Sequence, residues 1–310
     1  MKRRLVPWLA FVAVFVASSA ASAEDNASYT RKEDVIYGRK YGTALTMDVF
    51  TPKENANRAA VIVCVSGGWF SSHANINVGL AKEFLKRGYT VFAVVHGSQP
   101  KFNIEEILQD MHRAVRYVRH HAKDFNIDPN RIGITGGSAG GHLSLMQGMA
   151  GTDGDPKAKD PVDREPSRVQ AVACVFPPTD FLNWGEKGKL MLGTHPVVPV
   201  GGAFAFYEQD KKTLVLVPIT DPEKRKEIGK KISPIYHVSS SSPPTLIVHG
   251  DEDKLVPLEQ AERMIEKLKE VGVPAELAVK KGGGHDGPTV EFGLPKIADW
   301  FDKYLKKMEK

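Results

Sequence analysis

Arg131-Ile-Gly-Ile-Thr135, Gly136-Gly-Ser-Ala-Gly140 and Gly141-His-Leu-Ser-Leu-Met146 run on from one another without a break. The first piece is a short apolar run of the kind that forms a buried strand, and the stretch from Ala139 to Met149 reads as a helix. Between them stands G-x-S-x-G. A serine on a tight strand-to-helix turn is raised above the sheet edge, and its small neighbours let the backbone pass close to both elements. The N–H of Ala139, at the start of the helix, then faces any negative charge that develops beside Ser138.

Outward from this turn, apolar runs alternate with helical periodicity. Ala59–Val65, Thr90–Val95, Val169–Phe176, Thr245–Val248 and Ala275–Val279 read as strands. Helices are expected over Ile76–Lys86, through Ile104, Ile107, Leu108, Met111, Val115 and Val118, and through Leu258, Ala261, Met264, Ile265 and Leu268. A last helical face carries Ile297, Trp300, Phe301, Tyr304 and Leu305. This rhythm specifies an α/β fold, a mostly parallel central sheet with helices on both faces. Residues 34–50 alternate instead and predict an antiparallel N-terminal hairpin at the sheet edge. Residues 181–231 break the rhythm. A structureless loop of that length is improbable, so an ordered, cap-like insertion is expected, carrying Trp184, Phe204, Phe206 and Tyr207. These aromatics suit either a small core of the insertion itself or a cover over a site.

A serine hydroxyl needs a base to act as a nucleophile. His285 lies in Gly282-Gly-Gly-His-Asp-Gly287, after the last expected strand, where glycines on both sides free an imidazole to project from a loop. Three carboxylates compete for the acid position in His249-Gly-Asp-Glu-Asp-Lys-Leu-Val-Pro257. Asp251 suits a turn that bonds its own backbone. Asp253, deeper in the loop, is preferred over it and over Glu252. Asp180 also respects the order serine, acid, histidine, but reads better as a structural cap. A second oxyanion donor is expected in Ser66-Gly67-Gly68-Trp69-Phe70, at the amides around Gly68 and Trp69. Trp69, Phe70 and Trp184 are candidate substrate-stacking surfaces, with core packing as the alternative.

These stretches, together with Ile232-Ser-Pro-Ile-Tyr-His-Val238, resemble the α/β-hydrolase superfamily. Within it the chain is similar to the esterase and lipase group related to bacterial feruloyl esterases and hormone-sensitive-lipase-like esterases. The resemblance spans roughly residues 34–306. It implies Ser138 as nucleophile, Asp253 as acid and His285 as base of a serine hydrolase that needs no metal and no cofactor. It further implies short-chain or aromatic acyl esters as substrates, acetyl or feruloyl groups on polysaccharide among them. One departure stands out: the oxyanion loop begins at Ser66 where these families carry histidine. Two other activities occur on related folds. A serine peptidase would need a peptide-binding domain for which the chain has no spare length, and an arylformamidase meets an intracellular substrate. A non-catalytic binding protein conflicts with an intact serine, acid and histidine.

The 310-residue chain is 42% apolar and 25% charged, enough for a sizeable core. Lys2, Arg3 and Arg4, the apolar run Leu5–Val16 and Ala21-Ser22-Ala23 have the form of a secretory signal peptide cut after Ala23. The run is too short to span a bilayer comfortably. The expectation is therefore a secreted or periplasmic single domain from residue 24 to 310, without stable membrane association. The formal charge of +5 falls to +2 without the signal (39 basic against 37 acidic residues), and no lysine-rich block points to nucleic acid. Cys64 and Cys174 sit in β-branched apolar runs and read as buried thiols rather than a disulfide or a zinc site.

Overall fold

The computed structural model describes residues 28–193 and 199–306. The proposed signal segment, 1–23, lies outside the described residues.

Strands β1 (Tyr29–Lys40) and β2 (Thr43–Pro52) form the antiparallel hairpin, longer at its start than the alternation of 34–50 indicates. Tyr41 and Gly42, both at positive φ, make its turn. Strands β3 (Ala60–Val65), β4 (Thr90–Val95), β5 (Ile132–Thr135), β6 (Ala171–Val175), β9 (Thr245–Gly250) and β10 (Ala275–Lys280) are parallel and complete an eight-stranded sheet. Its order is β1-β2-β4-β3-β5-β6-β9-β10, with β2 antiparallel to β4. All the parallel strands except the edge strand β10 are buried on both faces through most of their length, which explains their near-continuous apolar sequences.

Helices α1 (Val78–Lys86) and α6 (Gly287–Leu305) cover one face, where Phe84, Trp300 and Phe301 meet Val61, Val91 and Val248. Helices α2 (Ile104–His120), α3 (Ala139–Met149) and α5 (Leu258–Glu270) cover the other, bringing Ile107, Leu143 and Met264 against Ile62, Val172 and Ile247. Helix α1 starts two residues later than its apolar pattern, because the Asn77 side chain caps it by accepting from Gly79 N. Cys64 and Cys174 are free thiols on β3 and β6, and burial pushes Cys64 up to about 12.

The segment between β6 and β9 holds a short hairpin, β7 (Tyr207–Gln209) with β8 (Leu216–Pro218), and α4 (Pro222–Lys231). Its aromatics divide. Trp184, Phe204 and Phe206 are buried and continuous with the main core, whereas Tyr207 is exposed with the hairpin.

Candidate active site

Every element of the site hangs from the C-terminal ends of the parallel strands. Ser138 follows β5 with φ 55° and ψ −120°, a backbone conformation that a residue with a Cβ adopts only under constraint. Its surroundings supply that constraint. Ser138 N donates to Val175 O at 3.0 Å and Gly140 N to Gly137 O at 2.8 Å. A Cβ at Gly136 would stand 2.5 Å from Gly140 C, and one at Gly140 would stand 2.7 Å from Cys64 O. The two glycines therefore let strand and helix approach closely enough to hold the serine in place.

The loop after β9 carries the carboxylates. Asp253 Oδ1 accepts from the N–H groups of Leu255 and Val256, at 2.8 and 2.9 Å. Its Oδ2 lies 2.7 Å from His285 Nδ1. The His249 imidazole, fully buried, stands behind the same oxygen: its Nε2 is 3.3 Å from Oδ2 and donates to Val256 O at 2.9 Å. Burial alone would raise the Asp253 carboxyl. The hydrogen bonds from His249, His285 and the Val256 amide outweigh burial and hold it well below the usual carboxylate range. An ionised carboxylate only accepts, so His285 donates to it through Nδ1.

The rival carboxylates go elsewhere. Asp251 does not bond its own backbone as expected; its Oδ1 accepts from Gly282 N at 2.6 Å and ties the acid loop to the histidine loop. Here the backbone-bonding aspartate is Asp253. Glu252 is exposed. Asp180 is fully buried, accepting from Leu182 N, Asn183 Nδ2, Tyr236 OH and Arg263 Nη2, and so fastens the start of the insertion.

After β3, Gly67 and Phe70 exchange both backbone hydrogen bonds, at 2.9 and 3.0 Å. Gly68 and Trp69 between them have φ of 56° and 62°, as a two-residue hairpin turn of the I′ kind requires. Among the described residues, the N–H groups of Gly68, Trp69 and Ala139 have no backbone acceptor. Gln99 fixes this turn: its N–H donates to Trp69 O and its Nε2 to Gly68 O. Trp69 is 2% exposed, and its indole N–H donates to His142 Nδ1 at 3.2 Å. His142 Nε2 in turn donates to Ile232 O at 2.7 Å. Burial pushes this imidazole down to about 4, so it is neutral and can accept from the indole. Ser66 Oγ is buried without a partner among the described residues.

Gly68, Trp69 and Ser138 line a small cavity of about 70 Å³, together with Trp184, Met191 and Val200 of the insertion and with Pro178, Leu255 and Val256. Of the three aromatics expected to meet substrate, Trp69 and Trp184 reach this cavity while remaining part of the core. Phe70 is 41% exposed and lies outside its lining. Sequence reasoning missed His142, Gln99, His249 and Phe176. His142 and His249 left local signals, the one a helical turn after Ser138 in the serine motif, the other four residues before Asp253 in the acid motif.

The profile of the family described as BD-FAE matches residues 47–268. The chain belongs to the BD-FAE family. This BD-FAE member is 27% identical over 247 residues to the probable carboxylic ester hydrolase LipM of Mycobacterium tuberculosis, covering 78% of this chain and 53% of that protein. Esterase LipC of the same organism is 28% identical, with 78% and 56% covered. The chain thus spans about half the length of these curated relatives. Among solved structures, a truncated carbohydrate esterase from gut microbiota superposes with a TM-score of 0.73 at 28% identity, covering 91% of this chain and 99% of that one. An acetyl ester-xyloside bifunctional hydrolase from Caldicellulosiruptor lactoaceticus shares the fold, with a TM-score of 0.69 at 24% identity over 87% of this chain and 95% of that one. The BD-FAE chain has the α/β-hydrolase fold, with the antiparallel hairpin at its N-terminal edge. Among the described residues, no three His, Cys, Asp or Glu side chains group as metal ligands, and no helix is long and apolar enough to cross a membrane.

Proposed function

We propose that this protein is an exported serine carboxylic-ester hydrolase, in which Ser138, His285 and Asp253 act together on short acyl esters of carbohydrates. The observation that carries the reading is the pairing of Asp253 Oδ2 with His285 Nδ1 at 2.7 Å, at the same C-terminal edge of the parallel strands as a serine held on a strained turn. The Phe176 ring bridges the two: it is centred 4.0 Å from the His285 ring and lies 3.4 Å from where a Cβ on Gly137 would stand.

In this reading His285 Nε2 takes the proton from Ser138 Oγ as the oxygen attacks the ester carbonyl. The amides of Gly68, Trp69 and Ala139 receive the oxyanion. Asp253 holds the imidazole in its Nδ1–H tautomer and stabilises the imidazolium. His285 returns the proton to the departing alcohol. Water then attacks the acyl-enzyme by the same route and releases the acid.

The cavity beside Ser138 favours a short acyl group. Its apolar lining and small volume suit an acetyl better than a feruloyl chain. The carbohydrate esterase with the same fold supports a sugar as the alcohol. The test is a substrate panel of acetylated xylan, methyl ferulate, and p-nitrophenyl acetate and butyrate, with Ser138→Ala as control. Acetyl esters should turn over fastest, and Ser138→Ala should lose about 10⁴-fold or more in kcat, because such groups act as a unit. Near-normal activity of Ser138→Ala would remove the serine mechanism; a preference for methyl ferulate would remove the short-acyl assignment.

A further inference from the structure

Phe176 occupies the first position past β6 with φ 38°, a region that bulky side chains rarely enter. It is 5% exposed. The backbone around it joins both halves of the site. Val175 O accepts from Ser138 N at 3.0 Å, and Phe176 N donates to Val248 O, on the acid-bearing strand, at 2.7 Å. The strained backbone delivers the ring to one place. Its centroid is 4.0 Å from that of His285, with the planes 38° apart, and 6.4 Å from that of His249 at a near-perpendicular angle. A leucine would fill much of this volume but would present no π face. Strain retained at a non-glycine position directly under a proposed base suggests that the face itself is used.

We propose that Phe176 is a positioning residue for His285: its ring fixes the imidazole plane and receives the positive charge of the imidazolium formed during ester cleavage. This rests on the triad reading above. A cation held over a phenyl face within about 6 Å of its centre is attracted by the ring quadrupole, more strongly when desolvated. The tilted ring covers one face of the imidazole, while Asp253 engages Nδ1, so Nε2 is left as the proton-accepting atom. No covalent step is added; the proton moves only between Ser138 Oγ, His285 Nε2 and the leaving alcohol.

Charged groups close to His285 are few. From the loop after β9 come Asp253, His249 behind it, and Asp251, which is engaged by Gly282 N. From its own loop comes Asp286, whose carboxylate caps α6 by accepting from Thr289 N, and from the end of β10 comes Lys280, whose charge acts on Asp286. Strand β6 contributes only the Phe176 ring. Removal of the π face therefore makes protonation of the imidazole harder without altering a charge.

The experiment compares Phe176→Leu, Phe176→Tyr and replacement of Phe176 by a ring-fluorinated phenylalanine, each checked for folding by near-ultraviolet circular dichroism. For Phe176→Leu, kcat on p-nitrophenyl acetate should fall about tenfold with KM little changed, and the acidic limb of kcat/KM should move to lower pH by about half a unit or more. Phe176→Tyr should stay near wild type in both. The fluorinated ring, equal in shape but weaker in its quadrupole, should move both in the leucine direction, and it keeps the test valid if the leucine variant folds poorly. An unmoved acidic limb in both the leucine and fluorinated proteins overturns the proposal, as does a fall in kcat equal for Leu and Tyr. His285→Ala serves as the separate control. If it remained active, the triad reading itself would fail; if it is dead while Phe176→Leu behaves as wild type, only the role of Phe176 fails.

Discussion

Asp253 spends all its acceptor capacity on neighbours that favour its charge, two backbone N–H groups on one oxygen and two imidazoles at the other. Asp253→Asn should therefore lose about 10³ to 10⁴ in kcat, because an amide no longer selects the Nδ1–H tautomer of His285. Steady-state kinetics on p-nitrophenyl acetate reads this directly, and a variant within a factor of ten of wild type would remove Asp253 from its role. The same carboxyl links the site to stability. Its folded-state pKa is depressed, so the stability it contributes is fully present above an unfolded value of about 4. That contribution is lost as pH falls below 4 towards the lower folded value. The gap in Tm between wild type and Asp253→Asn should thus narrow as pH falls below 4. At this scale Ser138, Asp253 and His285 were legible because each sits in a local motif at a strand end. Phe176 was not: its significance comes from contacts of the end of strand β6 with the histidine loop, which no local spacing encodes, while His249 stands at the head of the acid motif, four residues before Asp253, and was given no role there. Asp251 misled for a related reason, since its partner, Gly282, lies 31 residues away.

Among the elements, the strand–turn–helix unit from β5 to α3 has the least freedom. Gly136 and Gly140 stand where a Cβ would meet backbone rather than a movable side chain. Gly136→Ala should therefore destabilise the fold by about 2 kcal/mol or more and lower kcat further than stability alone explains, because the turn must open and carry Ser138 with it. Thermal melts and kcat measured on the folded fraction separate the two effects; an alanine variant with unchanged Tm and kcat would refute the packing argument. The same unit shows why the fold was readable. Continuous β-branched runs such as Val61–Val65 can only be strands buried on both faces, and the faces of α2 and α5 repeat at helical spacing. Element ends were blurred where side-chain caps decide them, as Asn77 does for α1. The insertion was recognisable only as an interruption. Its 3₁₀ turn at Gly201–Phe204 and its three-residue strands are too short to show a period, and its buried aromatics find their partners, Trp69 among them, on another part of the sheet.

Across the whole molecule, the site is assembled at the C-terminal ends of strands from β3 to β10, while the described chain enters at β1, on the sheet edge remote from β9 and β10. The hairpin begins to bury side chains at Tyr29, which packs edge-on against Phe50 at 5.9 Å. Cleavage after Ala23 would release a chain starting at Glu24, five residues before the start of β1, so removal of the proposed leader would leave β1 and its pairing with β2 whole. The proposed export would suit the proposed substrate, an acylated polysaccharide too large to cross the cell membrane. Expressed from Met1 in a Gram-negative host, the protein should appear in the periplasmic fraction with Glu24-Asp25-Asn26 at its N-terminus, as read by Edman degradation or intact mass. Replacing Ala21 and Ala23 by leucine should block cleavage and leave the larger form, because the processing site requires small side chains. A chain begun at Glu24 should match the processed protein in Tm and in kcat on p-nitrophenyl acetate. Recovery of the wild-type protein with Met1 intact would overturn the leader assignment, and loss of activity on starting at Glu24 would show that the segment serves the folded enzyme.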